Sequence, residues 1–346
     1  MNKLKVGIAG YGIVGKRRHV YIDQHPNLEV VAVCDQNHDQ DFVDANGIHI
    51  YTNYEKLLQG NHELDILFVC LPNNIAAEVT VAGLENGLHV FCEKPPGKDV
   101  EDIRKVIAAE SKYPKLKLKY GFNHRYHDSV REALRIIKTK ELGEIINLRG
   151  VYGKSRIIPF SGGWRSDRNL AGGGILLDQG IHMLDLMRLF CGEFKEVKSF
   201  ISNDYWKHDV EDNAYAILKN DKCVAMLNSS ATQWQHKFAL EISLSKGYLE
   251  LHGILSGSKS YGEERVVLGY RDEDSDNGQM ESKTIKFLVD NSWRDEIYEF
   301  ATAVIENKPI ESGTSNDALE TMKLVYSIYF ADTEWSNKYN ILNPNI

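Results

Sequence analysis

The residues best suited to chemistry lie in one tract, Gly172-Gly173-Gly174-Ile175-Leu176-Leu177-Asp178-Gln179-Gly180-Ile181-His182-Met183-Leu184-Asp185. On a helix, Asp178 and His182 stand four apart and Asp185 three further on, so the three share a face. Their neighbours are strongly apolar, which predicts a largely buried helix. Polar groups there need partners, because an unpaired one costs roughly 1–3 kcal/mol. His182 is a candidate general base or acid, since an unperturbed imidazole titrates near about 6.5. Asp178 would orient that imidazole or touch a substrate. The same spacing also fits an Asp–His pair that simply satisfies itself in a core. No metal is expected, because nothing else supplies clear ligands. Gly180 costs about 1 kcal/mol relative to alanine inside a helix, and it predicts the close approach of something flat.

A second group lies near the N-terminus. Gly10-Tyr11-Gly12-Ile13-Val14-Gly15 follows the strand-like run KVGIA and opens a helix. Gly10 permits a tight turn, Gly12 lets the backbone approach a pyrophosphate, and Gly15 lets the helix sit close on the strand. Free N–H groups of Ile13 and Val14 would face the phosphates at the positive end of the helix dipole. Asp35, twenty residues after Gly15, closes the second strand, where a carboxylate takes the adenosine ribose hydroxyls. An acid there repels a 2′-phosphate, which favours NAD, while Arg17 and Arg18 leave a route to NADP. Leu71-Pro72-Asn73 and Glu93-Lys94-Pro95-Pro96 end the third and fourth strands, on the edge where ligands sit in an open parallel sheet. Proline after Lys94 forces an extended backbone or admits a cis bond, so its ammonium is aimed. A plain surface lysine is the alternative.

These groups need a scaffold, and the pattern supplies one. LKVGIAG, LEVVAVCD, LDILFVCLP, LHVFCEKP and KLKYGF alternate with helical segments near 74–86 and 99–111. Continuous apolar strands with helices between them predict a doubly wound parallel Rossmann sheet. A charged helix near 128–140 follows, with Gly143 as its stop signal. Then come EIINLRGVYG, a loop, and a helix around 175–191. From 195 to 290 alternating strands predict a large, mostly antiparallel open sheet in an α+β domain. Helices near 293–307 and 315–336 close the chain, and the tract 271–282 reads as a hairpin tip. The fold expected is α/β, with a Rossmann domain over 1–122 and an α+β domain over 123–346. The net charge is −8 with 42% hydrophobic residues, so no nucleic-acid partner is expected. No apolar run reaches the ~18 residues needed to cross a membrane. The five cysteines form no C-x-x-C pair, which fits a cytoplasmic protein without a disulfide framework.

Taken together, the glycine fingerprint, Glu93-Lys94-Pro95, Gly121-Phe122-Asn123-His124-Arg125-Tyr126, Glu141-Leu142-Gly143-Glu144-Ile145 and Asp178-x-Gly180-x-His182 resemble the Gfo/Idh/MocA family, the glucose–fructose oxidoreductase and inositol dehydrogenase type. The resemblance implies NAD(P)-dependent hydride transfer between a nicotinamide and a hydroxyl or keto carbon of a sugar, polyol or sugar derivative. It implies catalysis by Lys94, Asp178 and His182, and a homodimer or homotetramer formed through the C-terminal sheet. Family members often carry histidine a few residues after Pro72-Asn73, and this chain has Ala76. The loop Phe160-Ser161-Gly162-Gly163-Trp164-Arg165-Ser166-Asp167-Arg168-Asn169 is a candidate for substrate recognition. Trp164, Arg165, Arg125, Tyr152 and His182 are the expected substrate contacts, and they would suit a uronate or sugar nucleotide. A core or subunit-contact role is the other reading of Trp164. Two other functions fit the same residues: a silent dinucleotide-binding regulator, and a glycoside hydrolase that uses NAD transiently.

Overall fold

The computed structural model describes residues 3–60, 62–157, 163–256, 261–271 and 280–345. Two compact units emerge: Met1–Phe122 with Asn169–Gly172 and Trp293–Leu319, and Asn123–Arg168 with Gly173–Ser292 and Glu320–Ile346.

In the first unit β1 (Leu4–Ala9), α1 (Ile13–Asp23), β2 (Leu28–Cys34), β3 (Phe42–Val43), β4 (His49–Tyr51), α2 (Tyr54–Gln59), β5 (Ile66–Val69), α3 (Asn73–Glu85), β6 (His89–Glu93), α4 (Val100–Glu110) and β7 (Leu118–Gly121) follow one another. The strands form one sheet in the order β3-β4-β2-β1-β5-β6-β7. All neighbours are parallel except β3 and β4. The apolar runs that predict strands buried on both faces behave so; all four residues of β5 are buried. The short elements β3, β4 and α2 carry no strong pattern in the sequence.

The second unit begins with α5 (Asp128–Thr139), whose stop is Lys140 at φ +62° ahead of Gly143. Its other elements begin with β8 (Ile145–Ser155) and α7 (Ile181–Cys191), while α6 (Arg168–Ala171) lies between them in sequence and belongs to the first unit from Asn169 on. Strands β9 (Glu196–Ser202), β10 (Asn213–Lys219), β11 (Val224–Gln233) and β12 (Lys237–Leu244) come next, then β13 (Gly247–His252), β14 (Glu264–Arg271) and β15 (Met280–Phe287). The single helix expected at 175–191 is instead a π-helical turn, Leu176–Gly180, running into α7. The eight strands are ordered β15-β14-β13-β12-β8-β11-β10-β9. Every neighbouring pair is antiparallel except β8 with β11. Alternation is clear in β10, where Ala214, Ala216 and Leu218 are buried and Tyr215, Ile217 and Lys219 are exposed. On the covered face α7 lies against β8 at Gly150, where a side chain would overlap Met187 and Met183. The hairpin-tip reading at 271–282 falls largely on 272–279, outside the described residues.

Helix α8 (Ser292–Ile305) belongs almost entirely to the first unit, and α9 (Ser315–Ala331) is divided between the two. The expected continuous helix 315–336 breaks at Asp332, which caps α10 (Thr333–Tyr339) through Trp335 N. Ile297, Phe300 and Ala301 of α8 complete the first unit's core with Val6, Ile8, Phe68 and Phe91. Phe300 meets the stacked Phe68–Phe91 pair edge-on. Beside that core lies Arg18 of α1, fully buried. Its Nε donates to Glu93 Oε1 at 2.6 Å, and a guanidinium nitrogen lies 2.8 Å from Glu296 Oε2, a close ion pair without hydrogen-bond alignment. Phe91 and Trp293 pack against the guanidinium at 4.5 and 4.3 Å.

Burial pushes the Glu296 carboxyl up to about 7 from 4.5, against the pull of Arg18 and Lys119. A group that holds its proton more tightly when folded adds stability below its unfolded value. That contribution is lost as pH rises through the folded value. The wild-type urea midpoint should therefore carry a downward slope between about pH 5 and about pH 8. Glu296→Gln should flatten that slope; equal slopes in the two proteins would exclude Glu296 as its source.

Candidate functional site

In the first unit the glycine turn is built as its spacing requires. Gly10 takes φ +93°, and a side chain there would overlap the carbonyl oxygen of Cys70. Gly15 leaves no room for a side chain either, because Gly10 O occupies that space. Gly12, the N-cap of α1, is different: the position of a side chain there is open, and Ile13 next to it is 82% exposed. An open, side-chain-free helix start offers backbone N–H groups to an anion, so a dinucleotide pyrophosphate fits the cradle. Asp35 follows β2, and its Oδ1 accepts from Asn37 N at 2.9 Å and Asn37 Nδ2 at 2.7 Å, which fixes the carboxylate's orientation.

The other ligand-edge residues divide in role. Leu71 packs near the Gly10 turn, and Pro72 caps α3. Asn73 is buried, and its Nδ2 donates to Ala171 O at 2.7 Å, so this amide anchors a later segment of the same unit. Glu93 answers Arg18, which corrects the route to NADP through that arginine: Arg18 is enclosed and holds two carboxylates. Arg17 lies over the Trp293 ring at 5.0 Å. Lys94 is half-buried, and its bond to Pro95 is cis.

In the second unit the π-turn carries Asp178, half-exposed, and His182 follows one turn later with 4% exposure. The His182 ring stacks on His124, centroids 3.7 Å apart and planes 14° from parallel. His124 Nε2 lies 3.1 Å from the Tyr152 hydroxyl, and its Nδ1 lies 3.2 Å from Asn123 Oδ1. Burial, with Tyr261 and Asp178 nearby, holds the Tyr152 hydroxyl well above its ordinary range, so it stays protonated. Tyr261 packs edge-on to Tyr152 and donates to Gln179 Oε1 at 3.2 Å. Arg165 Nε stands 3.7 Å from Asp178 Oδ1 and lies over the Trp164 ring at 4.3 Å. The structure thus brings Asp178, Tyr152, Trp164, Arg165 and His182 into one neighbourhood of the second unit. Phe160, Ser161 and Gly162 of the expected recognition loop lie outside the described residues.

Three sequence-based readings change here. Asp185 does not share an accessible face with Asp178; it is fully buried, and Arg125 grips it with Nε at 2.7 Å and a second guanidinium nitrogen at 2.6 Å. Arg125, expected at substrate, is itself buried in that bidentate pair. Gly180 gives close approach to β11 and not to a ligand, since a Cβ there would stand 2.7 Å from Ser229 Oγ. His124, Tyr261 and Gln179 were missed as site residues. His124 sits inside the Asn123-His124-Arg125 motif, so a second imidazole close to a candidate general base was the available signal.

Comparison with known proteins bears on the family and the fold. Residues 4–122 match the family profile described as an oxidoreductase family with an NAD-binding Rossmann fold, and residues 130–250 match the GFO/IDH/MocA C-terminal domain. The proposed UDP-kanosamine synthase oxidoreductase subunit of Amycolatopsis mediterranei is 30% identical over 263 residues, 70% of this chain and 71% of that protein. D-glucoside 3-dehydrogenase of Escherichia coli is 33% identical over 210 residues, 59% of this chain and 58% of that protein. In fold, the chain is similar to levoglucosan dehydrogenase solved with NADH and L-sorbose, with a TM-score of 0.84 at 18% identity, covering 97% of this chain and 98% of that one. The glycine cradle, the two sheets and these matches together place the chain in the GFO/IDH/MocA family of oxidoreductases with an NAD-binding Rossmann fold.

Proposed function

We propose that the protein is an NAD-dependent dehydrogenase acting on a hydroxyl carbon of a sugar or sugar derivative. The observation that carries the reading is the buried His182, stacked on His124 and followed outward by half-exposed Asp178, on a helix whose family is oxidoreductive. The names of the relatives, a glucoside dehydrogenase among them, support a sugar as substrate. Bound NAD would be held by the Gly10–Gly15 turn and Asp35, and would accept the hydride. His182 takes the hydroxyl proton as the alcohol carbon loses its hydride. Lys94 donates a hydrogen bond to the same oxygen and stabilises its developing negative charge. Asp178 keeps the imidazole oriented, and Arg165, stacked on Trp164 beside Asp178, recognises the substrate, with Tyr152 on the same side. A uronate or sugar nucleotide suits the Arg165 fork. Arg125 acts through Asp185, as a support for α7.

The decisive experiment is a panel of sugars, uronates, inositols and sugar nucleotides assayed for NADH formation. With the best substrate, His182→Ala and Lys94→Ala should each lower kcat by about 10²-fold or more. NAD should still bind to both variants, followed by fluorescence titration. Near-normal kcat in both would remove the catalytic roles.

Coenzyme preference follows from Asp35. NAD should bind at least about tenfold more tightly than NADP, because the carboxylate meets a 2′-phosphate with like charge. Asp35→Ser should narrow that ratio. A wild type that binds the two equally well would overturn the assignment.

The described cysteines are all free, which supports a cytoplasmic location. Among the described residues no helix is long and apolar enough to cross a membrane. The open face of the eight-stranded sheet presents Phe200, Tyr215, Ile217, Val224 and Met226 to solvent, with Phe200 81% exposed. An apolar face of that kind supports a homodimer or homotetramer formed through the sheet. Light scattering should find an oligomer in the wild type and a smaller species in Phe200→Asp/Ile217→Asp; an unchanged mass would move the interface elsewhere.

A further inference from the structure

The start of the helix that carries Asp178 and His182 is held by one side chain from a different part of the second unit. Glu211, just before β10, is fully buried. Three consecutive amides end on it. Gly174 N donates to Oε2 at 2.8 Å, Ile175 N to the main-chain oxygen of Glu211 at 3.2 Å, and Leu176 N to Oε1 at 3.0 Å. These are N–H groups that a helix start leaves without intrahelical acceptors. The next amide to pair within the turn is that of Asp178, which donates to Gly174 O at 2.8 Å. The clamp therefore ends where the candidate site begins.

Glu211 is in turn fixed from three sides. The Tyr329 hydroxyl of α9 donates to Oε1 at 2.7 Å. Burial raises the Glu211 carboxyl above its ordinary value, and the Tyr329 hydroxyl, the Arg168 guanidinium lying 5.4 Å from the Tyr329 ring, and the Gly174 amide pull it back toward the carboxylate form. Asp212, the next residue, accepts from Tyr205 N and Trp206 N, so the chain carrying Glu211 is anchored independently of the helix. Gly173 and Gly174, explained by none of the earlier chemistry, belong to this clamp. A side chain on Gly174 would overlap Glu211 O, and one on Gly173 would overlap the Tyr329 hydroxyl.

We propose that Glu211 is a positioning residue for the reaction, its carboxylate setting the register of the π-turned helix so that Asp178 and His182 stand where the proton is moved. The inference rests on the roles given to Asp178 and His182 above. The physical stake is geometric: a displacement of about 1 Å in a reacting group can cost on the order of 10²-fold in rate. Glutamate fits this task because both carboxylate oxygens accept. Glutamine at the same place would turn an NH2 group toward one of the two amides.

The test compares wild type, Glu211→Gln and Tyr329→Phe in the full chain. Hydrogen exchange read by mass spectrometry should speed up at least tenfold in the peptides covering 173–182 of Glu211→Gln. With the best substrate of the sugar panel, kcat should fall at least tenfold. Meanwhile KM for NAD and the Kd of NADH, carried by first-unit residues, should stay within twofold. That split separates positioning from a general loss of stability, which would move all of them together. Tyr329→Phe keeps every amide bond to Glu211 and removes one restraint on it. It should show the same split at about threefold in kcat, and it decides the matter if Glu211→Gln does not fold. Unchanged exchange in 173–182, or kcat within twofold of wild type in both variants, overturns the proposal. If the wild type oxidises no member of the panel, the dehydrogenase reading fails and the exchange measurement alone judges the clamp.

Discussion

A guanidinium enclosed away from water must find its counter-charge inside the protein, or cost several kcal/mol. Arg18 is that guanidinium in the first unit, and much of the coenzyme side depends on how it is answered. It projects from α1, whose first turn is the glycine cradle. It binds Glu93, the residue before Lys94, and it reaches Glu296 on α8. One side chain therefore ties the glycine turn, the end of β6 and a helix from the far end of the sequence. Gly121 contributes by omission: a side chain there would stand 3.0 Å from Glu93 Oε2 and 3.1 Å from an Arg18 nitrogen. The cation, its carboxylates and that glycine form one packing unit, and Lys94 inherits its starting point from it.

In the second unit three functional or charged side chains are answered along a single helix. Asp185 is closed off by Arg125 and by the Thr321 hydroxyl. His182 packs on His124. Asp178 keeps 26% of its side chain exposed and stands beside Arg165. The π-turn at 176–180 makes that division intelligible, since an i→i+5 turn shifts the residues before it relative to those after it, and such turns recur at functional sites. In a regular helix Asp178 and Asp185 would share one face. Here one is buried in an ion pair and the other remains accessible.

Much of this was readable from the chain, and the failures have a common cause. The glycine turn, the acid after β2 and the two sheet types follow from local rules: conformational freedom at Gly10, a charge at a strand end, and the period of apolar residues. Arg18 and Arg125 read as cations available to a ligand because a sequence shows a charge without its partner. Their partners, Glu296 and Asp185, lie far along the chain. Gly180 reads in the sequence as room for a ligand, and its actual neighbour is Ser229 of β11, a contact set by the sheet. The helical pattern near 293–307 matches α8, yet nothing in it says that Phe300 packs edge-on against the stacked Phe68 and Phe91. His124 went unnoticed because stacking on His182 depends on where a short 3-10 turn, Asn123–Tyr126, delivers the ring.

The place of β8 has a consequence for how the second unit is assembled. It lies at the middle of the eight strands, parallel to β11 and antiparallel to β12, although it precedes both by some distance in the chain. The strands on either flank pair with their neighbours in the sequence, β9 through β11 on one side and β12 through β15 on the other. Each flank is built from pairings between strands adjacent in sequence, while the central seam joins β8 to strands far downstream. Long-range pairing of this type slows folding. The inner edges of both flanks, β11 and β12, are covered by that one strand, so β8 removes two unpaired sheet edges at once.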